Sequence, residues 1–170
     1  DEPMVGAAQG ADWQGGDFAG VTQMIESGYF EELGVGALWL SPFNTAAEGT
    51  GKAADGEHDV SAFHGYWPTE PRGIEPKLGT ADELHALIEA AHDQDIRVMM
   101  DFVVNHVHEE HTYYEEHPEW FNAGCICGSA NCDWTLHRLD CQFTSYMPDV
   151  NWKIRNASEQ FIDDALWWLE

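Results

Sequence analysis

Ile96-Arg97-Val98-Met99-Met100-Asp101-Phe102-Val103-Val104-Asn105-His106 is the stretch on which the fold turns. Residues 96–104 are β-rich and mostly apolar, broken by Arg97 near the start and Asp101 within. A run of this kind reads as a strand buried on both faces. A shorter one, Val35-Gly36-Ala37-Leu38-Trp39-Leu40, stands upstream and is stopped by Ser41-Pro42. Between them Thr80 and Glu83 form a capping box. Behind it Leu84, Leu87, Ile88 and Ala91 recur at helical spacing, which predicts a helix over 81–93. Gln94-Asp95 closes it, because Asp tolerates the left-handed conformation that glycine usually supplies. Two doubly buried strands joined through a helix predict a right-handed parallel βαβ unit, and so an α/β fold.

Working outward, Phe18, Val21, Met24 or Ile25, and Leu33 predict a helix near 18–33, weakened at Gly28 and stopped by Gly34. Residues 1–17 read as an irregular lead-in. Residues 43–79 are polar and rich in Gly and Pro, too long for an idle connection, and are a candidate functional loop. Residues 107–150 are irregular and aromatic and hold all four cysteines, as an excursion from the scaffold would. Asn156 with Glu159 is expected to cap a last helix with Phe161, Ile162, Ala165, Leu166, Trp168 and Leu169 on its apolar face. That helix runs to the last residue without a C-cap. A closed eight-stranded barrel takes about 250 residues, so the 170 here are expected to be part of a larger domain.

With 44% hydrophobic and 22% charged residues the composition is that of a globular protein. No run of about 18 apolar residues occurs, so no membrane span is expected. The 31 acidic residues against 7 basic give a net charge of −24. Phosphate backbones and anionic lipid would be repelled, which argues against nucleic acid as a partner. A saline habitat or a structural cation would relieve the self-repulsion. Asp1-Glu2-Pro3 carries no basic or apolar signal segment.

Asp101 lies where a parallel strand gives way to its loop, the end at which α/β folds gather reactive groups. Its carboxylate either orients a neighbour or satisfies backbone donors. His64-Gly65-Tyr66-Trp67 offers aromatic faces beside a polar edge, suited to stacking on a sugar or to a small core under the loop.

Six segments occur in one order: Gly16–Val21, Leu33–Pro42, His64-Gly65-Tyr66-Trp67, Leu78-Gly79-Thr80, Ala91-His92 and Asp101–His106, with Met147-Pro148-Asp149-Val150-Asn151 further on. Together they resemble the N-terminal part of the alpha-amylase family of retaining glycoside hydrolases, glycoside hydrolase family 13. The resemblance implies a partial (β/α)8 barrel, of about strands 2–3 and helices 1–3. It divides the chain into 1–106, the first part of the catalytic barrel, 107–150, an inserted cysteine-containing domain, and 151–170, the return to the barrel. It implies that Asp101 supports the catalytic centre, that His106 bonds the sugar, and that Tyr66 stacks on it with His64 and Trp67 near. Asn105 and Asp149 would hold a structural calcium, whose taste for hard oxygen ligands suits both. No organic cofactor is implied. The substrate would be an alpha-glucan or alpha-glucoside, and the other partner the remainder of the chain's own catalytic domain. The nucleophile and general acid would come from later strands, so the 170 residues alone are expected to be inactive and Asp101 takes neither role. Asp12–Asp17 is a degenerate version of a calcium loop and receives no metal.

His106-Val107-His108-Glu109-Glu110-His111 approximates a zinc-hydrolase spacing, so a zinc-dependent hydrolase using His106, His108 and His111 is an alternative. A non-catalytic carbohydrate-binding module is another. Cys125, Cys127, Cys132 and Cys141 suit disulfides better than zinc, because one residue separates the first two. A Cys125–Cys127 bridge would close a strained loop, so each is expected to pair with Cys132 or Cys141, in either arrangement. Disulfides place the chain in an extracellular or periplasmic compartment. Asn156-Ala157-Ser158 matches a glycosylation acceptor, but Asn156 reads first as a helix cap.

Overall fold

In the computed structural model, which describes residues 11–53 and 56–170, the chain divides into two compact units. The first comprises residues up to Gly65 together with Gly73–Asp101, and the second Tyr66–Arg72 with Phe102–Glu170. The start of the expected lead-in, residues 1–10, lies outside the described residues.

The first unit opens with α1 (Phe18–Glu26), whose N-terminal amides are met by Asp17, its carboxylate accepting from the Gly20 N–H at 2.7 Å. The expected single helix over 18–33 is two: α1 ends at Glu26, and a short α2 (Tyr29–Glu32) follows. Gly28 between them takes φ +78°, a left-handed conformation that no helix continues through. Strand β1 (Ala37–Leu40) follows, and a hairpin of β2 (Thr50–Lys52) and β3 (Asp59–Ser61) occupies the long loop. Helix α3 (Ala81–Asp93) carries both halves of its capping box, Thr80 Oγ1 accepting from the Glu83 N–H and the Glu83 carboxylate from the Thr80 N–H. Asp95 takes φ +57° where the chain turns away. Leu84, Leu87 and Ala91 of α3 are buried, as are Phe18 and Ile25 of α1, and the two helices pack together.

Strand β4 (Arg97–Met100) pairs with β1 in parallel, Ala37 opposite Arg97 and Leu40 opposite Met100. The strand expected over 96–104 therefore stops early. The Asp101 N–H still donates to the Leu40 carbonyl, but Pro42, which has no N–H, ends the partner strand two residues later. Burial on both faces is also not observed. Trp39 is 71% and Met99 49% exposed, because β1 and β4 form a sheet of only two strands among the described residues, and none of those residues covers these two side chains.

The second unit has α4 (Thr112–Glu116), β5 (Phe121–Asn122), α5 (Trp134–His137), β6 (Asp149–Val150) and α6 (Arg155–Trp167). Val107, Trp120, Phe121, Val150, Ala157 and Phe161 form its core, with Tyr113, Tyr114 and Ile154 against it. β5 and β6 pair antiparallel, and His106 bridges to Asp149 beside them. Cys125 bonds Cys132 and Cys127 bonds Cys141, one of the two arrangements left open above.

Asn156 does not cap α6. The Ile154 N–H donates to the Asn151 carbonyl, a turn that starts the helix earlier, so Ile154 holds the N-cap position without a side-chain bond and Asn156 lies inside the first turn. The expected apolar face is likewise shifted. Ala157, Phe161 and Asp164 are its buried residues, whereas Ile162 and Leu166 are exposed.

Candidate functional site

Within the second unit Tyr66, Trp67, Asn105, His106 and Asp149 come together around one segment, the stretch Tyr66–Arg72. His106 Nε2 bonds the Tyr66 carbonyl at 3.0 Å. A carbonyl only accepts, so Nε2 carries the proton, and Nδ1 is left to accept from the Asn105 amide at 3.5 Å. His106 is buried, and desolvation holds its pKa below the ordinary value against the opposing pull of that carbonyl. The ring is neutral at neutral pH, a fixed hydrogen-bonding group rather than a cation.

The Tyr66 ring is 40% exposed, whereas Trp67 is 5% exposed and packs on His108 and edge-on against Tyr146 at 5.2 Å between centroids. The two aromatics of the His64–Trp67 motif therefore differ: one faces solvent and the other supports the segment from beneath. Phe143, not singled out by sequence, places its ring 5.4 Å from His106 and is half exposed. Its signal lay in its place between the last cysteine and Met147-Pro148-Asp149.

Asn105 and Asp149 are neighbours across a backbone ladder, the Val150 N–H donating to the Asn105 carbonyl. The Asp149 carboxylate is buried and takes the Asn122 side-chain amide at 2.7 Å. Desolvation raises its pKa, Asn122 opposes this and Asp140 adds to it. A buried carboxylate with one amide donor, next to a residue whose backbone bonds Asn105, offers hard oxygens of the kind that calcium takes. Asn122, which orients that carboxylate, was not expected from sequence. Among the described residues no three His, Cys, Asp or Glu side chains converge as a metal cluster.

The three histidines of the zinc alternative have separate engagements. His108 Nδ1 accepts from the Glu110 N–H, and His111 Nδ1 from the Tyr113 N–H, where it caps α4. His111 is buried, and desolvation lowers its pKa to about 4.

In the first unit, Asp101 sits directly after β4, half-buried, its N–H closing the β1–β4 ladder. His64 ends a single helical turn over Ala62–His64, its ring edge-on to Phe63. Gly65 follows at φ +79°, and a side chain there would meet the Pro42 carbonyl. Among the described residues no helix is long and apolar enough to cross a membrane.

A sequence model of the alpha-amylase catalytic domain matches residues 6–170. The beta/alpha-amylase of Paenibacillus polymyxa is 30% identical over 155 residues, 89% of this chain and 11% of that protein. The trehalose synthase of Pimelobacter sp. (strain R48) is 34% identical over 179 positions, 91% of this chain and 29% of that one. The crystal structure of an alpha-amylase from Geobacillus thermoleovorans, complexed with acarbose, superposes with a TM-score of 0.75 at 28% identity, covering 99% of this chain and 35% of that one. The chain thus spans between 11% and 35% of the length of these three relatives.

Proposed function

The chain belongs to the alpha-amylase catalytic-domain family of glycoside hydrolases, and from that premise we propose that it supplies the substrate-binding and calcium-holding residues of a retaining alpha-glycosidase acting on alpha-glucans or alpha-glucosides. β1 and β4 are then the second and third strands of a (β/α)8 barrel, and α1 to α3 belong to its outer helices. Residues 107–150 are the inserted domain, between the barrel segments 1–106 and 151–170. The remainder of the catalytic domain is the partner that completes the cleft.

The observation that carries this reading is the hydrogen bond from His106 to the Tyr66 carbonyl beside a solvent-facing Tyr66 ring. A sugar ring presents an apolar face and a hydroxyl edge. Tyr66 offers the stacking surface, Phe143 a second aromatic surface against the imidazole, and His106, whose Nε2 is spent on the Tyr66 carbonyl, its Nδ1, which a sugar hydroxyl would take over from the Asn105 amide. Trp67, packed on Tyr146 and His108, holds the segment rather than meeting solvent, and His64 leads into it. A retaining mechanism needs two carboxyl groups about 5 to 5.5 Å apart, one attacking the anomeric carbon and one protonating the leaving oxygen. Asp101 supports that centre and is neither of the two, which come from the polypeptide outside these residues.

Calcium, when bound, would join the excursion to the segment carrying His106 and neutralise the buried Asp149 carboxylate. Asn105 and Asp149 would hold it, and Asn122 orients the Asp149 carboxylate. The two disulfides favour an extracellular or periplasmic location. The charge of −24 makes nucleic acid an improbable partner.

Titration of the chain with maltotriose, followed by aromatic NMR signals, tests the reading. Saturable shifts at Tyr66 and His106 are expected, with loss of binding in a folded Tyr66→Ala variant. Undiminished binding in that variant, or none by the unaltered chain, refutes it. Calcium titration should show one site that Asp149→Asn abolishes.

A further inference from the structure

We propose that Arg72 and Asp164 are a positioning pair for the sugar site: their ion pair fastens the strap Tyr66–Arg72 to α6, and so sets where the Tyr66 ring and the His106-bound carbonyl stand. The inference rests on the reading of Tyr66 and His106 as sugar-binding residues.

The strap belongs to the second unit, although Gly65 before it and Gly73 after it belong to the first. It joins no regular ladder. Its attachments are made one at a time: the Tyr66 carbonyl accepts from His106 Nε2, the Pro68 carbonyl from the His108 N–H at 3.0 Å, and the Thr69 carbonyl from the Thr112 N–H at 3.2 Å. Near its end the Pro71 carbonyl accepts from Trp168 Nε1 at 3.0 Å. Arg72 then closes it, Nε donating to Asp164 at 2.9 Å and Nη2 to Asp163, with the Trp167 ring 5.7 Å from the guanidinium carbon.

Asp164 is built to receive that cation. Its side chain is 1% exposed, and besides Arg72 it accepts from the Tyr113 hydroxyl at 3.0 Å and the Gln160 amide at 3.1 Å. Burying a carboxylate is costly unless it is so supplied with donors and a cation. Its neighbour Asp163 is 69% exposed and holds the outer edge of the guanidinium, an arrangement that the planar arginine fork satisfies and a lysine ammonium meets in part. Two of the seven strap residues, Pro68 and Pro71, have fixed φ, which leaves the strap fewer torsions with which to absorb a shift at Arg72. In a chain of 31 acidic and 7 basic residues, the one arginine of the 43–79 loop is committed to this anchor.

The test is amide exchange together with maltotriose affinity, measured on the whole chain. Arg72→Gln is expected to keep the circular dichroism of the fold while lowering protection of the His108 and Thr112 amides and weakening maltotriose about tenfold. Arg72→Lys should recover part of both, and Asp163→Asn should change affinity less than about threefold. Should Arg72→Gln not fold, Trp168→Phe, which removes the bond to the Pro71 carbonyl and keeps a ring, is expected to act in the same direction by about threefold. Protection that falls while affinity stays constant overturns the proposal, as does a folded Arg72→Gln chain with neither changed. The two failures are distinct. No maltotriose binding by the unaltered chain sinks the sugar reading and this inference with it, whereas binding that Arg72→Gln leaves intact sinks the role of the pair alone.

Discussion

The two units hold themselves together by different means. In the first, α1 packs on α3 over Ile25, Leu84, Leu87 and Ala91, and β1 pairs with β4 through a parallel ladder. In the second, apart from α6, no element exceeds five residues, and the chain between is organised by rings and covalent links. Tyr113 and Tyr114 meet Trp120, Phe161 and Phe121 edge-on, His117 stacks on Trp120 at 4.2 Å, and two disulfides tie residues 125–141. Where backbone pairing is sparse, stability moves into individual side chains, and it becomes sensitive to chemistry that periodic structure ignores.

Reduction gives the largest separation of the two. The bridges span 7 and 14 residues, and closed loops of those sizes are worth about 2 to 3 kcal/mol each. With both reduced, the Cys127 and Gln142 amides, which bond the Gln142 and Cys125 carbonyls, should lose exchange protection. Those of Leu84 and Ile96 should keep theirs. Equal loss in both sets would erase the contrast.

Acid separates them next. Burial lowers the pKa of His111 from the ordinary 6.5 to about 4. Below pH 6.5 the unfolded chain takes up a proton here that the folded chain refuses, so this stability is complete above pH 6.5 and is lost as pH falls towards 4, about 3 kcal/mol in all. His106 and His108, also lowered by burial, add to the slope, and Asp149, raised by burial, opposes it. Thermal melts between pH 6.5 and 5 should show the decline, and His111→Asn, which keeps an acceptor for the Tyr113 N–H but does not titrate, should flatten it. An unchanged slope in that variant would remove His111 as the cause.

Sequence legibility follows the same division. α3 is readable to the residue because everything that defines it is local: its cap, its spacing and the left-handed Asp95. β1 and β4 are readable as elements, but their extent depends on a partner. The ladder ends with β1, which Ser41-Pro42 stops, a fact that inspection of residues 96–104 does not contain. Asn156 looks like a cap in isolation and loses the position to a turn begun at Asn151. In the candidate site, Tyr66 and His106 are marked by motif and prove to share a hydrogen bond across 40 positions. Phe143 beside His106, Asn122 on Asp149, and Arg72 on Asp164 across 92 positions leave no periodic trace, since each depends on how irregular chain returns to itself.

The capping box supplies the smallest and most confined effect. Thr80 Oγ1 accepts from the Glu83 N–H at 3.3 Å and the Glu83 carboxylate accepts from the Thr80 N–H at 2.8 Å, so two amides at the start of α3 are satisfied reciprocally. Thr80→Ala leaves the Glu83 N–H to water and should cost about 1 kcal/mol, while Thr80→Ser, which keeps the oxygen, should cost far less. The loss stays small because α3 is also held along its length by Leu84 and Leu87, both buried, and by its packing on α1. Denaturant-dependent exchange should find the decrease in amides of the first unit, with the His108 and Thr112 amides that bond the strap unmoved. A drop of similar size at the strap would mean that the two units do not melt independently, and the contrast in how they are held would then carry no contrast in how they fail.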